Sequence, residues 1–160
     1  MKVDSRRHSV ELLGQVLPNV RELRLSDSVL ESLRDLGTRL RHLRVLWVSR
    51  CGLTSLDGMG ALENLEELYA AFNDIEDVSA LAGHENLRVL DLEANRIRSA
   101  GALSLLGTCG ELRELELATN PISTLPLFRR FCASRIPQLE TLDGRDFDAE
   151  DREPLDAAVL

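Results

Sequence analysis

Apolar and polar residues alternate along the chain in one recurring pattern of eleven positions. Five segments align without gaps to the template L-x-x-L-x-L-x-x-N-x-L, starting at Val20, Leu43, Leu65, Leu87 and Leu112. Successive starts lie 23, 22, 22 and 25 residues apart, and a partial sixth unit, LETLDG, begins at Leu139. A fixed period of this length predicts a solenoid in which every repeat forms one coil and stacks on its neighbours.

The centre of the template alternates strictly between apolar and polar positions, which is typical of a half-buried strand. The leucines then point into the coil, and the intervening side chains point outward. We therefore predict a right-handed α/β solenoid of the leucine-rich-repeat type. It has about five coils, six short parallel strands on its concave side, and short helices or 3-10 turns on its convex side.

The ninth template position should join neighbouring coils. Its occupants, in chain order, are Ser28, Cys51, Asn73, Asn95 and Asn120. An asparagine amide there can hydrogen-bond the backbone of the adjacent coil, which satisfies groups that burial would otherwise leave unpaired. Serine and cysteine do this less well, so we expect the first two coils to be held less tightly.

Three regions follow from the repeat pattern. Residues 1–19 are predicted to form an N-terminal capping helix, with helical spacing between Ser9 and Leu17 and a stop at Pro18. Residues 20–138 hold the repeats, and the convex segment at 98–111 is the one most suited to an α-helix. Residues 139–160 are predicted to form a C-terminal cap that continues as a short helix into a flexible acidic tail.

Composition narrows the classes of function. The net charge is −8 and the isoelectric point is near 4.9, so we expect no direct binding to nucleic acid and no attraction to anionic membranes. No apolar run approaches the roughly 18–20 residues of a membrane-spanning helix, and the N-terminus lacks the features of a signal peptide. Three cysteines at irregular spacing argue against a disulfide framework, which favours an intracellular location.

The chain shows no pattern of residues typical of an active site. Its three histidines, His8, His42 and His84, are far apart, and no base is placed beside a nucleophile. The acidic stretch at 143–151 lacks the glycine and glutamate positions of a calcium loop. We therefore expect no catalytic residues, no cofactor and no metal site, and we interpret the chain as a protein that acts through its surface rather than as an enzyme.

Outward positions of the strands should form the binding surface. Trp47 and Tyr69, the only residues of their kinds, occupy the same template position in adjacent repeats, and Phe72 follows Tyr69 by three residues. Since parallel strands lie about 4.8 Å apart, the three rings are predicted to form one exposed aromatic patch flanked by Val45 and Val89. Exposed patches that contain Trp and Tyr usually mark partner sites.

Charge on this face changes along the solenoid. The first two coils carry mostly arginines, and the last three carry mostly acids, so a partner with apolar anchors and a basic segment would match it. The residues predicted to bind that partner are Val45, Trp47, Arg50, Tyr69, Phe72, Val89, Asp91, Glu93, Glu114 and Glu116.

Four motifs are more specific than the template: RDLG at Arg34–Gly37, LW at Leu46–Trp47, RCGL at Arg50–Leu53 and ELYAAFNDI at Glu67–Ile75. With them the chain resembles, over roughly residues 20–145, the ciliary family of leucine-rich-repeat-containing protein 56. This resemblance implies a non-catalytic scaffold for the assembly or transport of outer dynein arms in motile cilia or flagella. Its partners would be dynein-arm or intraflagellar-transport components. Members of the family are usually longer than this chain and carry a low-complexity C-terminal region.

Two other kinds of repeat protein fit the same pattern. One is a subunit of the splicing-factor type, which would hold a helix of a partner protein in its concave face. The other is a regulatory subunit of a phosphatase. A pull-down from ciliated and from nuclear extracts would separate the ciliary from the splicing interpretation.

Overall fold

The computed structural model describes residues 1–156 and confirms the solenoid. Seven strands form one sheet in chain order: β1 Glu22–Arg24, β2 Val45–Trp47, β3 Glu67–Tyr69, β4 Val89–Asp91, β5 Glu114–Glu116, β6 Thr141–Leu142 and β7 Arg145–Asp146. The first six are parallel, as predicted, and β7 is an added antiparallel strand. Equivalent template positions pair in register, so Leu46 lies opposite Leu68 and Leu68 lies opposite Leu90.

The convex side consists of short turns, because each repeat leaves few residues between strands. The 3-10 segments are Val10–Leu12, Leu33–Leu36, Met59–Ala61, Ser79–Leu81, Leu105–Thr108 and Pro121–Thr124. The α-helices are α1 Leu13–Val16, α2 Ala100–Ser104 and α3 Phe128–Arg135. The helix expected at 98–111 is present but short, since α2 passes into the 3-10 turn that begins at Leu105. In the part of the chain that the structure describes, we find no helix with the length and apolar character to cross a membrane.

The inward leucines form one continuous core along the solenoid. Leu46, Leu68 and Leu90 are fully buried, and so are Leu92 and Leu117, which directly follow β4 and β5. Successive coils contribute the same side chain at the same height, which packs a column of leucines without large aromatic residues.

The ninth position works as predicted in the later coils. Asn73 accepts hydrogen bonds from the backbone N–H groups of Cys51 (2.9 Å) and Leu53 (3.1 Å). Its amide also donates to the carbonyls of Val48 (3.0 Å) and Ala70 (2.9 Å). Asn95 and Asn120 repeat this arrangement. In the second coil Cys51 instead donates its thiol to Leu25 (3.2 Å), a weaker bond.

A second row of amides joins the coils on the opposite side of the strands. Asn64 donates to the carbonyl of Arg41 (2.7 Å), and Asn86 donates to that of Glu63 (2.8 Å). Gln138 donates to three carbonyls, including that of Cys109 at 2.8 Å. Each of these amides comes one residue before a repeat begins and bonds to the backbone of the preceding coil.

A left-handed turn follows each strand. The eighth template position has positive φ in all five full repeats, where its residues are Asp27, Arg50, Phe72, Ala94 and Thr119. In the partial repeat, positive φ falls instead on Asp143, at the fifth position directly after β6. Non-glycine residues rarely adopt this conformation. The repeat requires it because the chain must leave the strand sharply enough to place the next residue inside the coil.

The N-terminal region covers the first coil with extended chain as well as with a helix. Val29 donates its N–H to the carbonyl of Val3 (2.8 Å) and accepts from Ser5 (2.9 Å), while Ser28 accepts from Val3 (2.9 Å). The predicted capping helix is reduced to a 3-10 turn and α1, which ends at Val16. The Ser28 hydroxyl thus accepts a hydrogen bond from the N-terminal segment, a role that the repeat pattern does not predict.

The C-terminal helix predicted beyond residue 145 is wrong within the described residues. The chain instead turns at Asp143 into β7, and Asp143 Oδ1 accepts the N–H groups of Leu117 (2.7 Å) and Ala118 (2.8 Å). Asp151, expected in a solvated tail, is buried and pairs with Arg129 at 2.9 Å. A carboxylate closes the end of the sheet more directly than a helix, since it accepts two N–H groups at once. Residues 157–160 of the predicted tail lie outside the described residues.

The three cysteines give a prediction about reactivity. Cys51, Cys109 and Cys132 are buried free thiols, and burial raises the pKa of each, that of Cys132 to about 12. Because the thiolate is the reactive form, we expect iodoacetamide at pH 8 to label none of them readily in the native protein. All three should react after unfolding in guanidinium, as counted by mass spectrometry. Rapid labelling of Cys132 in the folded chain would contradict this burial.

Candidate partner-binding surface

The fifth template position forms a row of side chains across the concave sheet. Strand register places Arg24 beside Trp47, Trp47 beside Tyr69, and Tyr69 beside Asp91. Glu116 follows Asp91 on β5. Because each residue is the last of its strand, the row lies along the carboxyl ends of the strands.

Trp47 and Tyr69, which the sequence predicts to be neighbours on the concave face, form a stacked pair. Their ring centroids are 5.4 Å apart and their planes differ by 7°. The guanidinium carbon of Arg24 lies 3.9 Å from the centroid of the Trp47 ring. Since β2 runs between β1 and β3, Arg24 and Tyr69 cover opposite faces of Trp47. Sequence analysis counted Arg24 only as a basic residue, although its template position matches that of Trp47.

Phe72 does not stack on this pair, and its place in one exposed patch with Trp47 and Tyr69 stays a prediction. It lies in the left-handed turn after β3, with φ of 58° and 52% of its surface exposed. Among residues 1–156 its ring stacks on neither Trp47 nor Tyr69. Its neighbours in the turn row are Arg50 and Ala94. Phe72 thus lies in the turn after β3, whereas Trp47 and Tyr69 lie within strands.

The third template position adds alternating apolar and acidic side chains. Val45 and Val89 are half-buried on either side of Glu67, whose carboxylate accepts the Tyr69 hydroxyl at 2.7 Å. Burial and this hydrogen bond, together with the charges of Glu67, Glu114 and Asp91, raise the pKa of Tyr69 to about 12. The Tyr69 phenol is thus a neutral donor whose ring is held in place by its own strand.

The basic end of the surface is largely neutralised by ion pairs between coils. Arg50 binds Asp27 at 2.6 Å, and Arg44 binds Glu66 at 2.8 Å. The bond from Arg50 lowers the pKa of Asp27. Arg50, predicted to contact a partner, is therefore already engaged by a carboxylate of the first coil.

The acidic end has no such compensation. Within the described residues, Asp91, Glu93, Glu114 and Glu116 have no lysine, arginine or histidine within ion-pair distance. Burial raises the pKa of Asp91. The pKa of Glu116 is raised by burial first, and then by the nearby charges of Asp143, Asp91 and Glu93. These carboxylates repel one another, so a cation placed among them would be favourable.

The side chains of this surface are of the kinds that bind other proteins, namely half-exposed aromatic rings and carboxylates. In the described part of the chain, no group of three or more His, Cys, Asp or Glu side chains is arranged to hold a metal ion. What the structure brings together is a rigid pair of rings on an open sheet with a concentration of uncompensated acids next to it. Such a surface can anchor an apolar group and orient a positive one.

The known proteins that this chain resembles also contain leucine-rich repeats. A family model described as "Leucine Rich repeats (2 copies)" matches residues 63–105. Leucine-rich repeat-containing protein 56 of Mus musculus is 43% identical over 155 residues, which cover 89% of this chain and 28% of that protein. Dynein axonemal assembly factor 11 of Mus musculus is 30% identical over 146 residues, covering 91% of this chain and 31% of the relative. The chain thus spans less than a third of the length of either relative.

A solved structure shares the whole architecture. A chain of the crystal structure of the Drosophila melanogaster SNF/U2A′ complex superimposes with a TM-score of 0.77 at 26% sequence identity. The match covers 95% of this chain and 89% of the other.

Proposed function

The chain belongs to the leucine-rich-repeat proteins, with repeats related to those of leucine-rich repeat-containing protein 56, and from this premise we propose that it is a non-catalytic scaffold for the assembly or transport of outer dynein arms in motile cilia or flagella. Its place of action would be the cytoplasm and the cilium. Its partners would be dynein-arm or intraflagellar-transport components. The similarity to a dynein axonemal assembly factor supports this proposal.

One observation carries the proposal that the concave surface is the binding site. The stack of Trp47 and Tyr69 lies half-exposed on an open sheet, directly beside four acids that the described chain leaves without counterions. Core packing does not require aromatic residues at these outward positions, since the same position holds Arg24 and Asp91 elsewhere. The arrangement suits a protein partner that offers apolar anchors and a basic segment.

The stack can be tested by truncation. We expect the double substitution Trp47→Ala, Tyr69→Ala to weaken binding of a dynein-arm component, identified by pull-down from ciliated cells, by about 2 kcal/mol or more. The reason is the loss of a rigid anchor from the centre of the surface. Affinity measured by isothermal titration calorimetry gives the comparison with wild type.

The matched control is Val16→Ala, which truncates an apolar side chain exposed for 73% of its surface at the N-terminal end of the solenoid. It should leave the affinity unchanged. If both variants fold and the double variant binds as tightly as wild type, the stack is not the binding site. Phe72→Ala, measured beside them, shows whether the separate ring in the turn row adds to the anchor.

A splicing-type role is the second candidate, because the similar solved structure is that of an SNF/U2A′ complex. Its concave face would hold a partner protein rather than RNA. Retention of a splicing component from nuclear extract, with nothing specific from ciliated extract, would favour this candidate over the ciliary one.

A further inference from the structure

The row of stacked groups across the sheet is interrupted after Tyr69. The next member is Asp91, whose carboxylate is held at the end of its own strand because Oδ1 accepts the N–H of Glu93 at 3.0 Å. Within residues 1–156, neither a second ring nor a guanidinium covers the face of Tyr69 that is turned toward β4. An aromatic face thus borders directly on a carboxylate.

The same row shows how the chain itself covers such a face. At the other end Arg24 places its guanidinium 3.9 Å from the centroid of Trp47. The order along the row is therefore cation, ring, ring, acid, acid. A second cation between Tyr69 and Asp91 would complete it, and the chain supplies none there.

Charged groups around this gap come from four strands and are mostly negative. The acids are Glu67 on β3, Asp91 and Glu93 at the end of β4, Glu114 and Glu116 on β5, and Asp143 after β6. Two arginines of these coils, Arg88 and Arg113, occupy the second template position, directly before β4 and β5. Arg113 there is paired with Glu111 and Glu140, while Arg88 is exposed to solvent.

A guanidinium fits this combination better than an ammonium does. It is planar and weakly hydrated, so it can stack on a ring and still donate two parallel hydrogen bonds to a carboxylate. An ammonium group keeps its hydration more strongly and cannot match the flat face of Tyr69. The gap therefore discriminates between the two basic side chains.

We propose that the concave surface recognises an arginine of its protein partner, whose guanidinium stacks on the free face of Tyr69 and binds Asp91, with Glu93 and Glu116 adding to the negative field. This inference rests on the proposed function, since it names the group by which a partner is selected. In this proposal Tyr69 and Asp91 select arginine over lysine, while Trp47 stacks on the opposite face of the Tyr69 ring.

The test uses two short peptides and does not need the natural partner. Acetyl-Ala-Arg-Ala-amide and acetyl-Ala-Lys-Ala-amide are titrated into the protein, and binding is followed by NMR shifts of the Tyr69 ring and the Asp91 and Glu93 amides. We expect the arginine peptide to bind about threefold or more tightly than the lysine peptide, the scale of an exposed cation–π contact. The shifts should be largest at these three residues.

Two substitutions separate the contributions. Tyr69→Leu keeps an apolar side chain and should abolish the preference for arginine. Asp91→Asn keeps the acceptor for Glu93 and should weaken both peptides severalfold, while thermal unfolding checks that each variant is folded. Its matched control is Asp77→Asn, because Asp77 makes the same bond to the amide two residues on (2.8 Å) but lies on the convex side.

Equal affinities for the two peptides, or shifts that avoid Tyr69 and Asp91, would overturn the inference. A preference for arginine that survives Tyr69→Leu would overturn it as well. These outcomes can be distinguished from a failure of the proposed function, which is tested separately by whether a dynein-arm component binds through the concave surface. A partner that binds through Trp47 and Tyr69 without arginine selectivity would support the function and reject this inference.

Discussion

Replacing Leu90 with alanine is expected to lower the free energy of unfolding by about 2–5 kcal/mol. Leu90 is fully buried in β4, between Leu68 on one side and Leu115 on the other. Neighbouring coils hold its surroundings in register, so the cavity cannot collapse easily. Urea unfolding followed by circular dichroism measures the change. Since small domains are stable by only about 5–15 kcal/mol, the variant should approach the limit of folding.

Leu105→Ala is the matched control for this prediction. It removes the same atoms from a convex residue that is 39% exposed, so the loss should be clearly smaller. Similar midpoints for Leu90→Ala and wild type would mean that the register of the repeat is wrong.

Asn73→Ala should destabilise the chain by about 3 kcal/mol or more, because four buried backbone groups lose a partner at once. Two N–H groups, of Cys51 and Leu53, would stay without an acceptor, and each such group costs about 1–3 kcal/mol. Val48 and Ala70 lose a donor to their carbonyls. The same urea experiment measures the effect.

Asn86→Ala provides the comparison, since Asn86 is exposed and donates one hydrogen bond to the carbonyl of Glu63. Water can replace that donor, so we expect a cost of about 1 kcal/mol or less. If the two substitutions were equally costly, the buried row of asparagines would contribute no more than the exposed amides do.

The parts of the fold that repeat could be predicted from sequence. Each inward leucine and each residue of the ninth template position recurs at a fixed offset, so the structure of one coil predicts that of the next. The adjacency of Trp47 and Tyr69 follows from the same logic, because a shift of 22 residues keeps the template position. Burial restricts these positions most strongly, because few other residue types can fill the same space or make the same hydrogen bonds.

Features that occur once could not be predicted in this way. Asp143 and the pair of Arg129 with Asp151 depend on how the last coil ends, and no earlier repeat offers a precedent. The left-handed backbone of Phe72 could not be predicted from spacing either, since the template gives side-chain positions and not φ angles. The contact of Arg24 with Trp47 could have been found, since both residues share one template position.

Trp47 is the only tryptophan of the chain, and its position between Arg24 and Tyr69 makes it a spectroscopic reporter of the concave surface alone. Its intrinsic emission depends on a cation at one face and a phenol at the other, and neither belongs to the buried core. Excitation at long wavelength, where tyrosine does not absorb, would therefore follow the arrival of a ligand without any label. The surface that we propose for partner binding thus carries its own optical probe.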